Sequence, residues 1–276
     1  MAENSAISWT THTWNPWMGC TKVSPACDGC YAEALMDKRY GKVQWGNHPR
    51  IRTGKHTWND PLRWQRQAEK DGTRPFVFCA SLADIFDNQV PQDWRGEAFA
   101  VMRKTPNLVY LLLTKRPQNI VKLSGAVGGL PVNAALGSTC EDQPRADKNL
   151  AALQVAKIEL APLFTFGSFE PLLSDIYIEP TLMPDWVITG GETDQGGHKA
   201  RPTHPEWFRS LRDQAARHGA AYHHKQNGEW ASVSEVAGPG AHFTFPDGAT
   251  VRRVGKKLSG RTIDGVTHDA FPAVAE

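Results

Sequence analysis

The stretch Pro75–Pro117, "PFVFCASLADIFDNQVPQDWRGEAFAVMRKTPNLVYLLLTKRP", decides the fold. An apolar run of strand length, Phe76 to Ser81, leads into "VPQDWRGEAFAVMRKTP", a segment of helical period entered and left at prolines. A second apolar run, Leu108 to Thr114, follows. Short runs rich in β-branched and aromatic residues suit strands buried on both faces, and the middle segment carries helix start and stop signals. Strand, helix and strand in this order make a βα unit, whose two strands run parallel because the helix carries the chain back.

The same alternation extends in both directions. Strand-like runs recur at Val132 to Thr139, Leu163 to Phe169, Trp186 to Gly191 and Ala220 to Gln226, with a short candidate around Thr11 to Trp17. Between them lie "NDPLRWQRQAEKDG", with Asp60 expected as N-cap, Pro61 in the first turn and Gly72 past the end, and "HPEWFRSLRDQAARHG". About seven strands predict an α/β fold built on a partial or complete (β/α) barrel, with an open doubly wound sheet as the alternative. Residues 1–228 are expected to form the barrel-like domain. Residues 229–276, with "GPGAHFTFPDGATVRRVGKKLSGRTIDG", are expected to add a turn-rich extension packed on it.

With 276 residues, 40% of them hydrophobic and 22% charged, the chain can bury a full core. Net charge is +2 and the pI is about 8.3, too mild to declare a nucleic-acid binder and no bar to a polyanionic partner. The opening "MAENSAISWT" has no cationic start followed by an apolar run, and no segment approaches the ~20 apolar residues of a membrane span. A soluble, cytoplasmic protein is expected, with no membrane partner.

Parallel βα folds place their chemistry at the carboxyl ends of strands, where the loops converge. Those ends are loaded here. Ser81, Asp84 and Asp87 follow the second strand, and Thr114, Lys115 and Arg116 the third. Ser138, Glu141, Asp142 and Arg145 follow the fourth, Glu170 the fifth, Glu192 and Asp194 the sixth, and Lys225 and Gln226 close the seventh. Loops are polar in any case, but six consecutive loaded exits predict one shared polar site. Glu170 and Lys225 have a simpler reading as an ion pair linking strands.

The first exit carries thiols. "WNPWMGCTKVSPACDGCYAEAL" holds Cys20, Cys27 and Cys30, three of the chain's five cysteines, while Cys79 and Cys140 are scattered through apolar segments. An odd count with this clustering is a poor disulfide framework and a good metal-binding one. Zinc would want a fourth ligand such as His12, and no second C-x2-C or H-x3-H follows at finger spacing. Three thiolates on a [4Fe-4S] cluster would leave one iron open to a substrate or cofactor. Both readings stand on spacing alone.

The run "TWNPWMGCTKVSPACDGCYAE", with "DPLRW", "VFCASLADIFDNQVP", "LLLTKRP", "TFGSFEPLL", "DWVITGGE", "RPTHPEWFRSLRDQ", "HHKQNGEW" and "VGKKLSGRTIDG", resembles the phage Gp37/Gp68 family, a family with a three-cysteine motif. The resemblance spans about Ser8 to Pro272. That family is similar to radical S-adenosylmethionine enzymes, and the resemblance implies their type of barrel. It also implies a [4Fe-4S] cluster on Cys20, Cys27 and Cys30, S-adenosylmethionine on the open iron, and an external electron donor. Reductive cleavage would yield methionine and a 5′-deoxyadenosyl radical, which takes a hydrogen atom from a substrate carbon. The spacing C-x6-C-x2-C departs from the usual C-x3-C-x2-C of those enzymes. Gly29 stands where they often place an aromatic, although Tyr31 follows and is expected to pack on the adenine. Their glycine-glycine-glutamate segment sits at the second strand, and here "GGE" (190–192) sits near the sixth, so its amino-group role is not carried over.

On this reading Ser81 and Asp84 are candidates for the methionine end of the cofactor, and Thr114 is a further candidate cofactor contact. Glu170 and Glu192 are candidates for its ribose or for the substrate, and Lys115, Arg116 and Lys225 for an anionic group such as phosphate. Glu170, Glu192, Lys225 and Lys115 are the candidate catalytic residues. The basic, aromatic stretch from Tyr40 to Trp58 is expected to lie in a loop beside the site. There Arg50, Arg52, Lys55 and His56 would hold phosphates, and Trp45 or Trp58 would stack on a base. A nucleobase in DNA or RNA, or a nucleotide, is the expected substrate, with a small metabolite or a partner polypeptide left open. The rival is a zinc-stapled or iron-sulfur nucleic-acid-binding protein without radical catalysis.

Overall fold

The structure is a computed structural model that describes residues 3–274. Its central sheet has seven strands in chain order: β1 (His12–Thr13), β2 (Phe76–Cys79), β3 (Val109–Thr114), β4 (Ala134–Thr139), β5 (Thr165–Phe169), β6 (Trp186–Gly190) and β7 (Ala221–Gln226). The pairs β1/β2, β2/β3, β3/β4, β5/β6 and β6/β7 are parallel. The connecting helices are α1 (Lys55–Asp71), α2 (Gln92–Arg103), α3 (Ile120–Gly125), α4 (Gln143–Leu160) and α5 (Pro205–Arg217). The βα alternation therefore holds except between β5 and β6, where a short 3-10 turn (Pro180–Leu182) stands in place of a helix. The strand order is linear, so the closed form of the expected barrel is not realised: no pairing among the described residues joins β1 to β7.

Two compact units divide the chain. The first is 1–23, 31–138 and 151–165, and the second is 24–30, 139–150 and 166–276. Residues 229–274 thus share a unit with β6 and β7.

In the first unit α1 buries Thr57, Trp58, Pro61, Trp64, Gln65 and Ala68, one face at helical spacing. This helix begins at Lys55, five residues before the expected cap at Asp60, and contains Pro61. A proline there gives no N–H to the carbonyl of Thr57. The Trp14 indole supplies one instead, donating to Thr57 O at 2.9 Å, and that substitution lets the helix run through the proline. Trp58 is buried, packs edge-on to Trp14 and belongs to the core. Gly72 ends the helix with φ +62°, as the sequence predicts.

In the second unit the edge of β7 is covered by the chain's own C-terminal segment. His224 N donates to His268 O, and Ala270 N donates to Tyr222 O. Three antiparallel strands, β8 (Trp230–Ser232), β9 (His242–Thr244) and β10 (Thr250–Arg253), and the hairpin of β11 (Thr262–Ile263) and β12 (Val266–Thr267) complete it, so the expected turn-rich extension is a pair of small antiparallel sheets. Among the described residues no helix is long and apolar enough to cross a membrane.

Candidate functional site

Within the first unit, the exits of β2 and β3 meet at Asp84. Its Oδ1 accepts from Phe86 N (2.9 Å) and Thr114 Oγ1 (2.7 Å), and its Oδ2 accepts from Lys115 N (3.1 Å) and Arg116 Nη1 (3.0 Å). Four donors satisfy a carboxylate that is almost wholly buried. Arg116, buried as well, continues the chain of contacts: Nη1 reaches Cys20 Sγ at 3.5 Å and Nη2 donates to Thr21 O at 2.8 Å. Burial pushes the Cys20 thiol up to about 11, Asp84 adds to that, and the Arg116 cation works against it. Arg116 was expected to receive an anionic ligand. Its guanidinium is instead committed to Asp84, Thr21 and Cys20.

Ser81 and Tyr31 are joined in the same unit, the Tyr31 hydroxyl donating to Ser81 O at 2.9 Å, and Asn15 Nδ2 donates to Ser81 Oγ at 3.0 Å. Tyr31 is 41% exposed, so its ring can still meet a ligand.

Arg50 departs from expectation. Its side chain is 0% exposed and grips Asp87 through Nε (2.8 Å) and Nη2 (2.6 Å), with further bonds to Gly46 O, His48 O and Thr21 Oγ1. A cation so enclosed has no surface to give to a phosphate; it staples the loop. Arg52 lies over the Trp58 ring, 3.9 Å from its centroid, and pairs with Glu97. Lys55 and His56 are exposed at the start of α1, and Trp45 is half-buried. The stretch from Tyr40 to Trp58 is thus part loop, part helix, with its arginines largely spent on protein partners.

Within the second unit, the segment 24–30 is held at two places. Glu141, fully buried just past β4, accepts from Ala26 N at 3.2 Å through Oε1. Arg201 donates to Pro25 O (3.0 Å) and to Asp28 Oδ2 (3.3 Å). Arg201 is itself fixed by the buried Glu192, whose Oε2 accepts from its Nε and backbone N at 2.8 Å each, and whose Oε1 accepts from its Nη2 at 2.5 Å. Burial alone would raise the Glu192 carboxyl, but the Arg201 hydrogen bonds and charge, with His198, hold it below the ordinary carboxylate value. His198 Nε2 stands 3.1 Å from Glu192 Oε1. Gly29 packs on that histidine: a Cβ there would lie 2.7 Å from His198 Cδ2, so the residue between Asp28 and Cys30 must be small.

The "GGE" segment has a structural role. A Cβ on Gly191 would lie 2.0 Å from Asn227 O, and one on Gly228 would lie 2.3 Å from Glu192 O, so the backbones leaving β6 and β7 touch only because both residues are glycine. Gly190 likewise makes room for Glu170, which binds Lys225 Nζ at 2.6 Å and Gln226 Nε2 at 3.3 Å. Glu170 and Lys225 are therefore ion-paired across the end of β6, as their simpler reading held. Glu192 is spent on Arg201 and His198. Arg201, which bonds the cysteine loop, and His198, which packs on Gly29, escaped the sequence reading because a turn residue nine or six positions past Glu192 obeys no periodic rule.

All five cysteines are thiols with no disulfide. Cys79 and Cys140 lie at 0% exposure, and burial raises both well above the ordinary thiol value. Cys27 is nearly buried, while Cys20 and Cys30 are half-buried. Among the described residues no three or more His, Cys, Asp or Glu are gathered so as to hold a metal ion. The donor chemistry of Cys20, Cys27 and Cys30 nevertheless fits a thiolate-loving centre, zinc or iron-sulfur, and Arg116 beside Cys20 fits the negative charge that such a ligand set brings.

The chain belongs to a protein family described as "Protein of unknown function (DUF5131)", which matches residues 4–272. No curated protein and no solved structure matches it.

Proposed function

We propose that this member of the DUF5131 family is an iron-sulfur enzyme of the radical S-adenosylmethionine type, built on a partial (β/α) barrel and acting on a nucleotide or nucleic acid. One observation carries the reading: buried charge from four strand exits is spent on the cysteine segment. Asp84 and Arg116 hold Cys20 and Thr21, while Glu141, and Glu192 through Arg201, hold Pro25, Ala26 and Asp28. Burying ions is costly and is tolerated only where they are paired and bonded. Spending it on a loop with little core of its own gives that loop the rigid support that a functional centre needs.

Cys20, Cys27 and Cys30 would hold the cluster, which, once reduced by an external donor, would supply the electron for cleaving S-adenosylmethionine. The chain's own residues provide the rest. Arg116 offsets thiolate charge at Cys20, Arg201 fixes the backbone between Cys20 and Cys30, and Tyr31, oriented by Ser81 O, offers a ring for the adenine. Lys115 and the Glu170–Lys225 pair stand at strand exits as polar groups to meet a substrate. Lys55, His56 and Trp45 remain as the surface for a phosphate backbone.

The test is anaerobic reconstitution with iron and sulfide, reduction with dithionite, and incubation with S-adenosylmethionine. Formation of 5′-deoxyadenosine supports the proposal. A colourless protein retaining stoichiometric zinc contradicts it and favours a zinc-stapled binding protein.

A further inference from the structure

Arg116 is fixed from every side. Its backbone N donates to Thr114 Oγ1 (2.9 Å), Thr114 Oγ1 donates to Asp84 (2.7 Å), and Asp84 accepts from Arg116 Nη1 (3.0 Å), a closed circuit linking the exits of β2 and β3. With Nη2 on Thr21 O, the guanidinium plane has no freedom left, and the same Nη1 faces Cys20 Sγ at 3.5 Å. A guanidinium fork this constrained is a directional donor. The arrangement favours Cys20: Cys27 Sγ has Ser24 Oγ at 3.9 Å, a neutral hydroxyl. The six-residue gap that sets Cys20 apart in the sequence is matched by a different electrostatic environment.

We propose that Arg116 is a positioning residue that donates to the Cys20 sulfur when that sulfur is a metal ligand, fixing its direction and lowering its electron donation below that of Cys27. The inference rests on the reading of Cys20 as a ligand, but on neither S-adenosylmethionine nor the identity of the metal. Hydrogen bonds to coordinating sulfurs are among the levers that set metal affinity and potential.

The experiment uses the full chain, anaerobic and metal-free, titrated with Co(II) alone as the probe. It compares the wild type with Arg116→Lys, Arg116→Met and Arg201→Met. The sulfur-to-cobalt charge-transfer band should move to lower energy in Arg116→Met, because a thiolate without a donor gives up its electrons more readily. Arg116→Lys, which keeps the charge without the fork, should fall between. Cobalt should pass to a competing chelator on the order of tenfold more readily from Arg116→Met. Arg201→Met, which loosens the loop without touching a sulfur, should leave the band in place. A band identical in wild type and Arg116→Lys, with Arg116→Met either identical or too unstable to load, overturns the inference. Absence of any sulfur-to-cobalt band in the wild type overturns it together with the ligand reading, a result that the variants are not needed to recognise.

Discussion

Two arginines hold the cysteine segment, and they do so differently. In the first unit Arg116 is buried, paired with a buried Asp84, and ends on a sulfur. In the second unit Arg201 keeps a third of its side chain exposed, pairs with a buried Glu192, and ends on a backbone carbonyl and a surface aspartate. Pairs sealed from water cannot be screened or replaced by solvent, whereas a half-exposed guanidinium can turn to water when its partner is lost. The first grip therefore sets the chemistry of one thiol at a high structural stake, and the second sets only where the backbone runs.

That contrast can be broken, beginning where the effect is largest. Asp84→Asn strands a buried cation and should cost about 3–5 kcal/mol, read as a lower midpoint in urea unfolding. Acid should act next and on the second unit: burial pushes His224 down to about 4 from the ordinary 6.5. The unfolded chain then binds more protons than the folded one between those values, so stability is full above about 6.5 and falls as the pH drops toward 4. The loss from His224 should be on the order of 3 kcal/mol, with His223, likewise pushed down to about 4 by burial, adding to it; unfolding across that pH range checks it. Replacing Glu192 with Gln leaves the half-exposed Arg201 one charge short and should cost about 1–3 kcal/mol. A loss equal to that of Asp84→Asn would erase the distinction between the grips. The smallest effect concerns Lys55, exposed at the start of α1. If it meets a phosphate, Lys55→Ala should reduce the salt slope of oligonucleotide binding by about one while leaving unfolding unchanged.

Six strands were legible because parallel strands are near-continuous apolar runs, and they lie where "PFVFCAS", "LVYLLLT" and their counterparts place them, while β1 shrinks to His12–Thr13 within its candidate stretch. The start of α1 was not, since the donor that replaces Pro61's missing N–H comes from Trp14, more than forty residues away. Charged residues at the strand exits were legible, but apart from the Glu170–Lys225 pair their partners were not. Nothing local in "HPRIRTGK" says that Arg50 turns inward to Asp87 while Arg52 lies across Trp58. The same limit hid Arg201, whose value lies in touching Pro25 and Asp28, residues distant in sequence. The glycines of "GGE", given no role on sequence grounds, form a close backbone crossing, a contact that only the fold creates.

The central claim is that Cys20, Cys27 and Cys30 form one ligand set and that Cys79 and Cys140 stand outside it. Iron and acid-labile sulfide, measured per chain after anaerobic reconstitution of the wild type and five single Cys→Ala variants, test it most directly. The account predicts that losing any of the first three abolishes both, while Cys79→Ala and Cys140→Ala retain them. Equal loss on replacing Cys140, or full retention without Cys20, would contradict it.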